Sequence, residues 1–389
     1  MKRQTAIWFV ILLGCVSLFA DVTYEGARAI IGPYLGTLGA NGTIVGITAG
    51  ASELVGYGIR LLSGILADRS KRYWTLTILG YVVNLAAVPL LAFAGNWPVA
   101  VALIILERGG KGIRTPARDA MLAYATEATG RGWGFGLHEA LDQIGAISGP
   151  LMLAAFLAHH ARYQAGFALL AIPAALAISI LLTAKFLYPN PLQLEIKTPE
   201  FAATKFPRSY WIYLVSAALL AFGYVDFPLI AFHFEKTKSV AAASIPVLYA
   251  VGMASAALAA LVFGRLFDRI GLWANFTAIL LGSIYAVLVF YGGFAGAILG
   301  MILWGIGLGV QESILRAYVA EIVAPERRGR AYGLFGAVYG VAWFAGSAVM
   351  GLLYDRALIL LVILSVVFEL AAGIVILTLA QKNMRRPAG

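Results

Sequence analysis

Charge is scarce in this sequence. Only 12% of its 389 residues are Asp, Glu, Lys or Arg, and 61% are apolar, against the ~25% charged share of an ordinary soluble domain. A water-soluble fold could not clothe its surface with so few charges, whereas a fold bathed in lipid needs few. Cysteine is nearly missing: Cys15 stands alone inside an apolar run, which excludes a disulfide framework and a cysteine-rich metal site. The four histidines show no metal-ligand spacing, and the adjacent His159 and His160 read as a solvated loop pair. No cofactor, no metal and no catalytic constellation is expected, so the chain does not read as an enzyme. The excess of 29 basic over 19 acidic residues could suggest nucleic acid. The basic residues cluster at the ends of apolar runs instead, as the positive-inside rule describes, so no nucleic-acid partner is expected.

What is abundant is apolar length. A membrane-spanning helix needs ~20 apolar residues at a rise of 1.5 Å each. Twelve segments qualify: 5–37, 42–67, 73–95, 98–126, 131–158, 163–188, 209–234, 241–268, 272–294, 296–323, 328–355 and 358–381. The first follows Lys2 and Arg3, but Leu18 in Ser17-Leu18-Phe19-Ala20 is too large for a signal cleavage site, so it reads as a retained span. One set of connections carries Arg69, Lys71, Arg72, Arg131, Arg265, Arg269, Arg327, Arg328 and Arg330. Both ends of the chain join that set through Lys2, Arg3, Lys382, Arg385 and Arg386. The alternate connections are short and nearly free of positive charge, with Arg162, Lys236, Lys238 and Arg356 as exceptions. This places both termini in the cytoplasm of a multi-pass protein of the plasma (inner) membrane. The longest polar interruption holds Pro189, Pro191, Pro199 and Pro207 with Glu195, Lys197, Glu200, Lys205 and Arg208. The organisation is therefore a six-helix bundle over 1–188, a cytoplasmic linker over 189–208 and a second six-helix bundle over 209–389.

The halves repeat. Gly64-Ile65-Leu66-Ala67-Asp68-Arg69 returns as Gly264-Arg265-Leu266-Phe267-Asp268-Arg269, and Gly130-Arg131 before span five returns as Gly329-Arg330 before span eleven. Two landmarks at nearly one offset argue for duplication. An even number of spans per half gives both copies the same orientation, as in parallel-repeat transporters. The glycine-rich run Gly130-Arg131-Gly132-Trp133-Gly134 has no strand before it and does not read as a nucleotide loop.

These residues resemble the major facilitator superfamily. The loop after span two reads GILADRSKRYW from Gly64. Gly64, Leu66, Asp68, Arg69 and Arg72 match the family's loop motif, and Lys71 stands where a second glycine is usual. The weaker second copy keeps Gly264, Leu266, Asp268, Arg269 and Gly271. Arg108 and Gly112 in span four are similar to the family's Arg-x-x-x-Gly signature. Span five carries Gly136, Gly145 and Gly149-Pro150 at the spacing of the motif found in the family's drug/proton antiporter, or efflux, branches, without its closing glycine pair. The resemblance implies an all-α fold of twelve transmembrane helices in two pseudo-symmetric bundles, working by alternating access. It also implies that the Asp68 loop is a conformational switch that meets span eleven in the outward-open state. In physical terms, glycines in span five give a smooth face for close helix packing, and Pro150 permits a bend.

Buried charge in a bilayer is costly, so its placement is informative. Spans one, two, four and five hold nearly all of it, and these are the spans that the resemblance places around the central cavity. In span four, Arg108, Lys111, Arg114 and Arg118 recur every three or four residues as one stripe. Arg108 lies roughly 15 Å below Pro98, and Arg118 approaches the surface. Asp21 and Glu25 sit one turn apart in span one, followed by Arg28. Glu53 lies midway along span two, and His138, Glu139 and Asp142 share span five. An acid in apolar surroundings binds a proton more readily than a solvated one, so Asp21, Glu25, Glu139 and Asp142 are the proton-coupling candidates. Glu53, Arg108, Lys111, Arg114 and His138 are substrate-binding candidates, with structural ion pairing as the alternative. The second half contributes Asp226, Glu312, Arg316 and Trp343, beside the aromatics Tyr224, Phe227, Trp304, Tyr339 and Phe344. Glu369 in span twelve has no role in this scheme.

The expectation is a monomeric secondary transporter in the lipid bilayer that exchanges protons for a small-molecule substrate by efflux. Uptake or facilitated transport of an anionic metabolite, read by the basic stripe, is the alternative, with a lipid-like substrate as a third. A non-transporting sensor would call for an added soluble domain.

Overall fold

The structure, a computed structural model, describes residues 3–129, 131–160, 162–189, 206–324 and 327–384. The predicted linker lies largely outside the described residues, as do Gly130 and the terminal Lys2, Arg385 and Arg386. The same holds for the side chains of Arg131, Arg316 and Arg328.

In hydrocarbon a backbone must satisfy its own hydrogen bonds, and a helix does so within one segment. Among the described residues every predicted span is helical. The first five are α1 (Arg3–Thr37), α2 (Gly42–Ser70), α3 (Tyr73–Leu90, extended by a 3-10 turn at Leu91–Phe93), α4 (Trp97–Thr129) and α5 (Arg131–Leu157). Span six is α6 (Tyr163–Leu169) with α7 (Ala171–Leu187), and span seven is α8 (Arg208–Gly223) with α9 (Phe227–Thr237). Then follow α10 (Ile245–Ile270), span nine as α11 (Leu272–Gly282) with α12 (Tyr285–Tyr291), α13 (Gly293–Ile322), α14 (Arg328–Arg356) and α15 (Leu358–Met384). Ten of these spans, counted among the described residues, are long and apolar enough to cross a membrane. The two that fall short are α2 and α4, which carry Glu53 and the charged stretch from Glu107 to Arg118. Helix α5 continues through Pro150 without interruption, so this proline does not end the helix.

Contacts divide the chain into two compact units. The first comprises Met1–Ala40, Ala51–Lys197 and Ala241–Ala250; the second comprises Asn41–Gly50, Thr198–Val240 and Val251–Gly389. In the first unit, α1 packs along α5, α7 and α4, and α3 packs along α4. Glycines set the closest approaches. A Cβ on Gly110 would meet the Asn84 nitrogen at 2.4 Å, and one on Gly112 would meet the Gly56 carbonyl at 2.7 Å, so α4 lies nearly backbone to backbone with α3 and α2. In the second unit, α8 packs on α15 and α14, and α11 packs on α15 and α13. There the first turns of α2 lie on α14. The backbone nitrogens of Gly42 and Thr43 donate to the Asp355 carboxylate at 3.0 and 2.7 Å, which occupies the positive end of that helix.

The repeated loop shows why its two copies differ. Lys71 and Gly271 stand at the same place in the repeat and share a positive φ, 56° and 58°. Each donates its backbone nitrogen to the carbonyl four residues earlier, Ala67 and Phe267. Gly271 has ψ −138°, a conformation essentially restricted to glycine. Gly271→Ala should therefore destabilise the protein by ~1–3 kcal/mol, read as a lowered thermal midpoint in detergent; an unchanged midpoint would show that the loop relaxes freely. Asp68 and Asp268 are exposed, and neither forms an ion pair with a described residue.

Candidate functional site

The polar core of the first unit is built from α1, α2, α4, α5 and the first turns of α10. Glu53 on α2 is shared by two arginines: Arg28 and Arg108 each place Nη2 3.2 Å from its Oε1. Arg108 also lies 3.7 Å from Glu107 on its own helix, and Asn84 of α3 donates Nδ2 to that acid at 2.7 Å. Two cations and two acids are thus closed into one network, which offsets the cost of taking them out of water. Glu25 accepts the Tyr249 hydroxyl at 2.5 Å.

One turn deeper the pattern changes from ion pairs to aromatic faces. The Lys111 ammonium sits 4.0 Å from the centre of the Tyr24 ring, and no carboxylate among the described residues lies within salt-bridge distance of it. Arg114 is 1% exposed. Its guanidinium stacks 4.1 Å from the Tyr81 ring, and its Nε and Nη1 meet no hydrogen-bond partner. Ring faces attract cations but do not satisfy N–H donors. Arg118, at the far end of the stripe, has a side chain 14% exposed that pairs with the half-exposed Asp119 at 2.7 Å and donates to Ser17 of α1 at 3.1 Å.

The acids of α1 and α5 meet along a glycine seam. A Cβ on Gly145 would lie 2.4 Å from the Leu18 carbonyl and 2.8 Å from the Asp21 Cβ; one on Gly149 would lie 2.3 Å from the Val22 carbonyl. Asp142 is one turn from Gly145 on the same face of α5, within electrostatic reach of Asp21. Asp21 is 5% exposed, and its Oδ1 has no hydrogen-bond partner. Asp142 lies 3.2 Å from His138 Nδ1, one turn away on α5. The structure thus brings Asp21, Asp142 and His138 together. It sets Glu139 apart: that acid is exposed and, among the described residues, accepts only the Gln143 amide, at 3.1 Å. Gly136 has open space where a Cβ would stand.

In the second unit the α8–α9 break positions Asp226. Tyr224 to Asp226 leave the helix, and the freed backbone groups find side chains: Val225 donates its N–H to the Tyr285 hydroxyl at 2.6 Å and accepts from Trp304 Nε1 at 3.0 Å. Asp226 Oδ2 accepts from Trp343 Nε1 at 2.9 Å and from the Ser347 hydroxyl at 2.5 Å. Tyr224, Trp304, Trp343 and Tyr339 form a continuous aromatic wall, with successive ring centres 5.5–5.7 Å apart. Glu312 lies exposed on α13. The Arg316 side chain, named with it, is outside the described residues.

Sequence reasoning did not single out Glu107, Asn84, Tyr24, Tyr81 or Tyr249. Glu107 directly precedes Arg108, and Tyr24 lies between Asp21 and Glu25, so adjacency to a chosen charge was the available signal for these two. Nothing local marks Tyr249, whose partner is more than two hundred residues away.

Comparison with known proteins follows the same lines. The family model described as Major Facilitator Superfamily matches residues 13–347. An uncharacterized protein of Mycobacterium tuberculosis is 41% identical over 371 residues, covering 94% of this chain and 91% of that protein. An uncharacterized MFS-type transporter of Methanocaldococcus jannaschii is 27% identical over 356 residues, covering 89% and 88%. Among solved structures, a bacterial homolog of the human lysosomal transporter Spinster, inward-facing and unoccupied, superposes with a TM-score of 0.77 at 13% identity over all of both chains. The nucleoside transporter NupG superposes with a TM-score of 0.73 at 15% identity, over 97% of this chain and 99% of its own. At such identities the superpositions speak for the fold alone, but the family model spans most of the sequence, and with the all-helical architecture it shows that this chain is a membrane transporter belonging to the Major Facilitator Superfamily.

Proposed function

We propose that this transporter is a proton-coupled antiporter exporting a small organic compound, with Asp21 and Asp142 as its proton-binding groups. The observation that carries the reading is the α1–α5 seam. It holds two acids within electrostatic reach of each other, one with an oxygen lacking a hydrogen-bond partner, on the motif that resembles the antiporter branches. Acids so placed are natural sites for a proton that comes and goes. Of the neighbouring cations, Arg28 and Arg108 are engaged by Glu53 and Glu107, and Lys111, held against the Tyr24 ring, is within electrostatic reach of Asp21. The reading includes both termini on the cytoplasmic side of the plasma (inner) membrane, a monomer, and bundles 1–188 and 209–389 that rock about the substrate. The structural neighbours carry different cargoes by name, nucleosides in one case and peptides in another, so the fold does not choose the compound.

A second reading, passage of an organic anion, is favoured by one observation. Arg114 has two buried guanidinium nitrogens without hydrogen-bond partners, and Lys111 lies on the Tyr24 ring with no carboxylate at salt-bridge distance among the described residues. The test is internal pH in sealed vesicles holding the purified protein under an imposed gradient, while lipophilic cations, neutral drugs and organic anions are added in turn. Proton movement opposite to compound flux is the expected result. Anion uptake with no proton movement would replace the antiporter with the second reading.

A further inference from the structure

Glu369 lies midway along α15, a helix that is otherwise almost wholly apolar between Leu358 and Ala380. It is 2% exposed, its Oε1 meets no hydrogen-bond partner, and no described residue forms an ion pair with it. Beside it is a small cavity of about 10 Å³, walled by α8, α11, α13 and α15 of the second unit. Two glycines keep that space open. A Cβ on Gly282 would stand 3.6 Å from Glu369 Oε2, and one on Gly307 would stand 3.3 Å from the Tyr224 ring. Gln311 lines the same cavity; its Oε1 accepts the Tyr339 hydroxyl at 2.6 Å, and its Nε2 has no partner.

The groups facing Glu369 decide its state. These are Tyr224, just past the end of α8, and Tyr285 on α12; the wider surroundings add Tyr339, Glu312 and Asp226. Helix α11 carries no ionisable residue. No cation stands among these described neighbours; the Arg316 side chain of α13 is outside the described residues. A lone carboxylate in such a place costs far more than a neutral acid, which needs only one acceptor and one donor. A metal ion is disfavoured because no group of three His, Cys, Asp or Glu gathers among the described residues, and hard cations take six or more oxygens.

We infer that Glu369 is a proton-binding site inside the second unit: it is held as a neutral carboxylic acid at a small, mostly apolar cavity about the size of one water, which would bridge it toward Gln311. The inference lies outside the proposed function, since it involves neither Asp21 nor Asp142 and holds for an antiporter or a uniporter alike. Ionisation of Glu369 would require more water to enter between α11, α13 and α15, so release of its proton is tied to opening of that bundle.

Infrared spectra of the full-length protein with isotope-labelled glutamate test the site. The expected result is a glutamic-acid carbonyl band that persists at mildly alkaline pH and is lost in Glu369→Gln, with the thermal midpoint nearly unchanged because the amide is isosteric with the neutral acid. Gly282→Ala, which fills the space beside Oε2, should keep the band and shift it by displacing the water. A band absent at neutral pH, or unchanged in Glu369→Gln, would overturn the inference. So would a Glu369→Gln protein that does not fold while Gly282→Ala does, since that pattern marks a carboxylate needed in its charged form.

Discussion

Asp21→Asn is expected to reduce compound-driven proton movement in vesicles by about 5–150-fold, the span of a 1–3 kcal/mol coupling between two ligands. The substitution keeps size and hydrogen-bonding capacity and removes only the proton site, so the protein should still fold and still bind its compound. Asp142→Asn should act in the same direction, and a double variant should do little more damage than either single one, because residues that share one function are not additive. The informative control is Glu139→Gln. Glu139 was indistinguishable from Asp142 as a sequence candidate, yet it is exposed and, among the described residues, bonded only to Gln143, so its replacement should leave coupling near the parent level. Glu25→Gln should fall between, since it loses the charge that the Tyr249 hydroxyl meets. If Glu139→Gln is as defective as Asp21→Asn, the seam is not the proton site. If coupling survives all four substitutions, the protein is not an antiporter driven by these acids.

The second large effect is on stability, and it separates the glycines of one motif. Gly145→Ala and Gly149→Ala should each destabilise the protein by ~1–3 kcal/mol or more, because the added methyl meets backbone rather than a movable side chain. The contacts are the Leu18 carbonyl at 2.4 Å and the Val22 carbonyl at 2.3 Å, well inside van der Waals distance, so α1 and α5 must part along their length. Gly136→Ala, on the same helix, should be neutral or stabilising by up to ~1 kcal/mol, the ordinary helix-propensity gain, since nothing lies within 4 Å of its Cβ position. Thermal unfolding of the three variants in one detergent checks this. Equal losses in all three would mean that the motif acts through backbone flexibility and not through close approach.

These two cases also show what the sequence discloses and what it withholds. Ten of the predicted spans were legible because apolar length is a property of consecutive residues. So was the concentration of charge in α1, α2, α4 and α5, because acids and bases stand out against 61% apolar composition. The grouping of Asp21 with Asp142, as against Glu139, was not legible. It depends on how α5 is rotated toward α1, which Gly145 and Gly149 set through contacts more than a hundred residues apart. The breaks in spans six and nine carried only weak signals: Pro173 in the first turn of α7 and Gly282 at the end of α11. Leu170 and Ser283-Ile284 interrupt their helices with neither proline nor glycine in the gap. Span seven carried another, Pro228 in the first turn of α9, where proline is well tolerated. The tie of Arg118 to Ser17 was not legible either, since it depends on where α4 meets α1.

The interruption at Tyr224 to Asp226 has a mechanical consequence. A gap in a membrane helix is often read as a joint, because backbone groups released from the helix can trade partners as it flexes. Here the partners are fixed furniture: an indole and a phenol from α13 and α12 grip Val225 on both sides, and Trp343 and Ser347 of α14 grip Asp226. Bending at this point would break four hydrogen bonds in a medium that offers no replacements. The gap therefore works as a splint. It fixes the angle between α8 and α9, and it passes any tilt of α14 to both halves of the span as one rigid elbow.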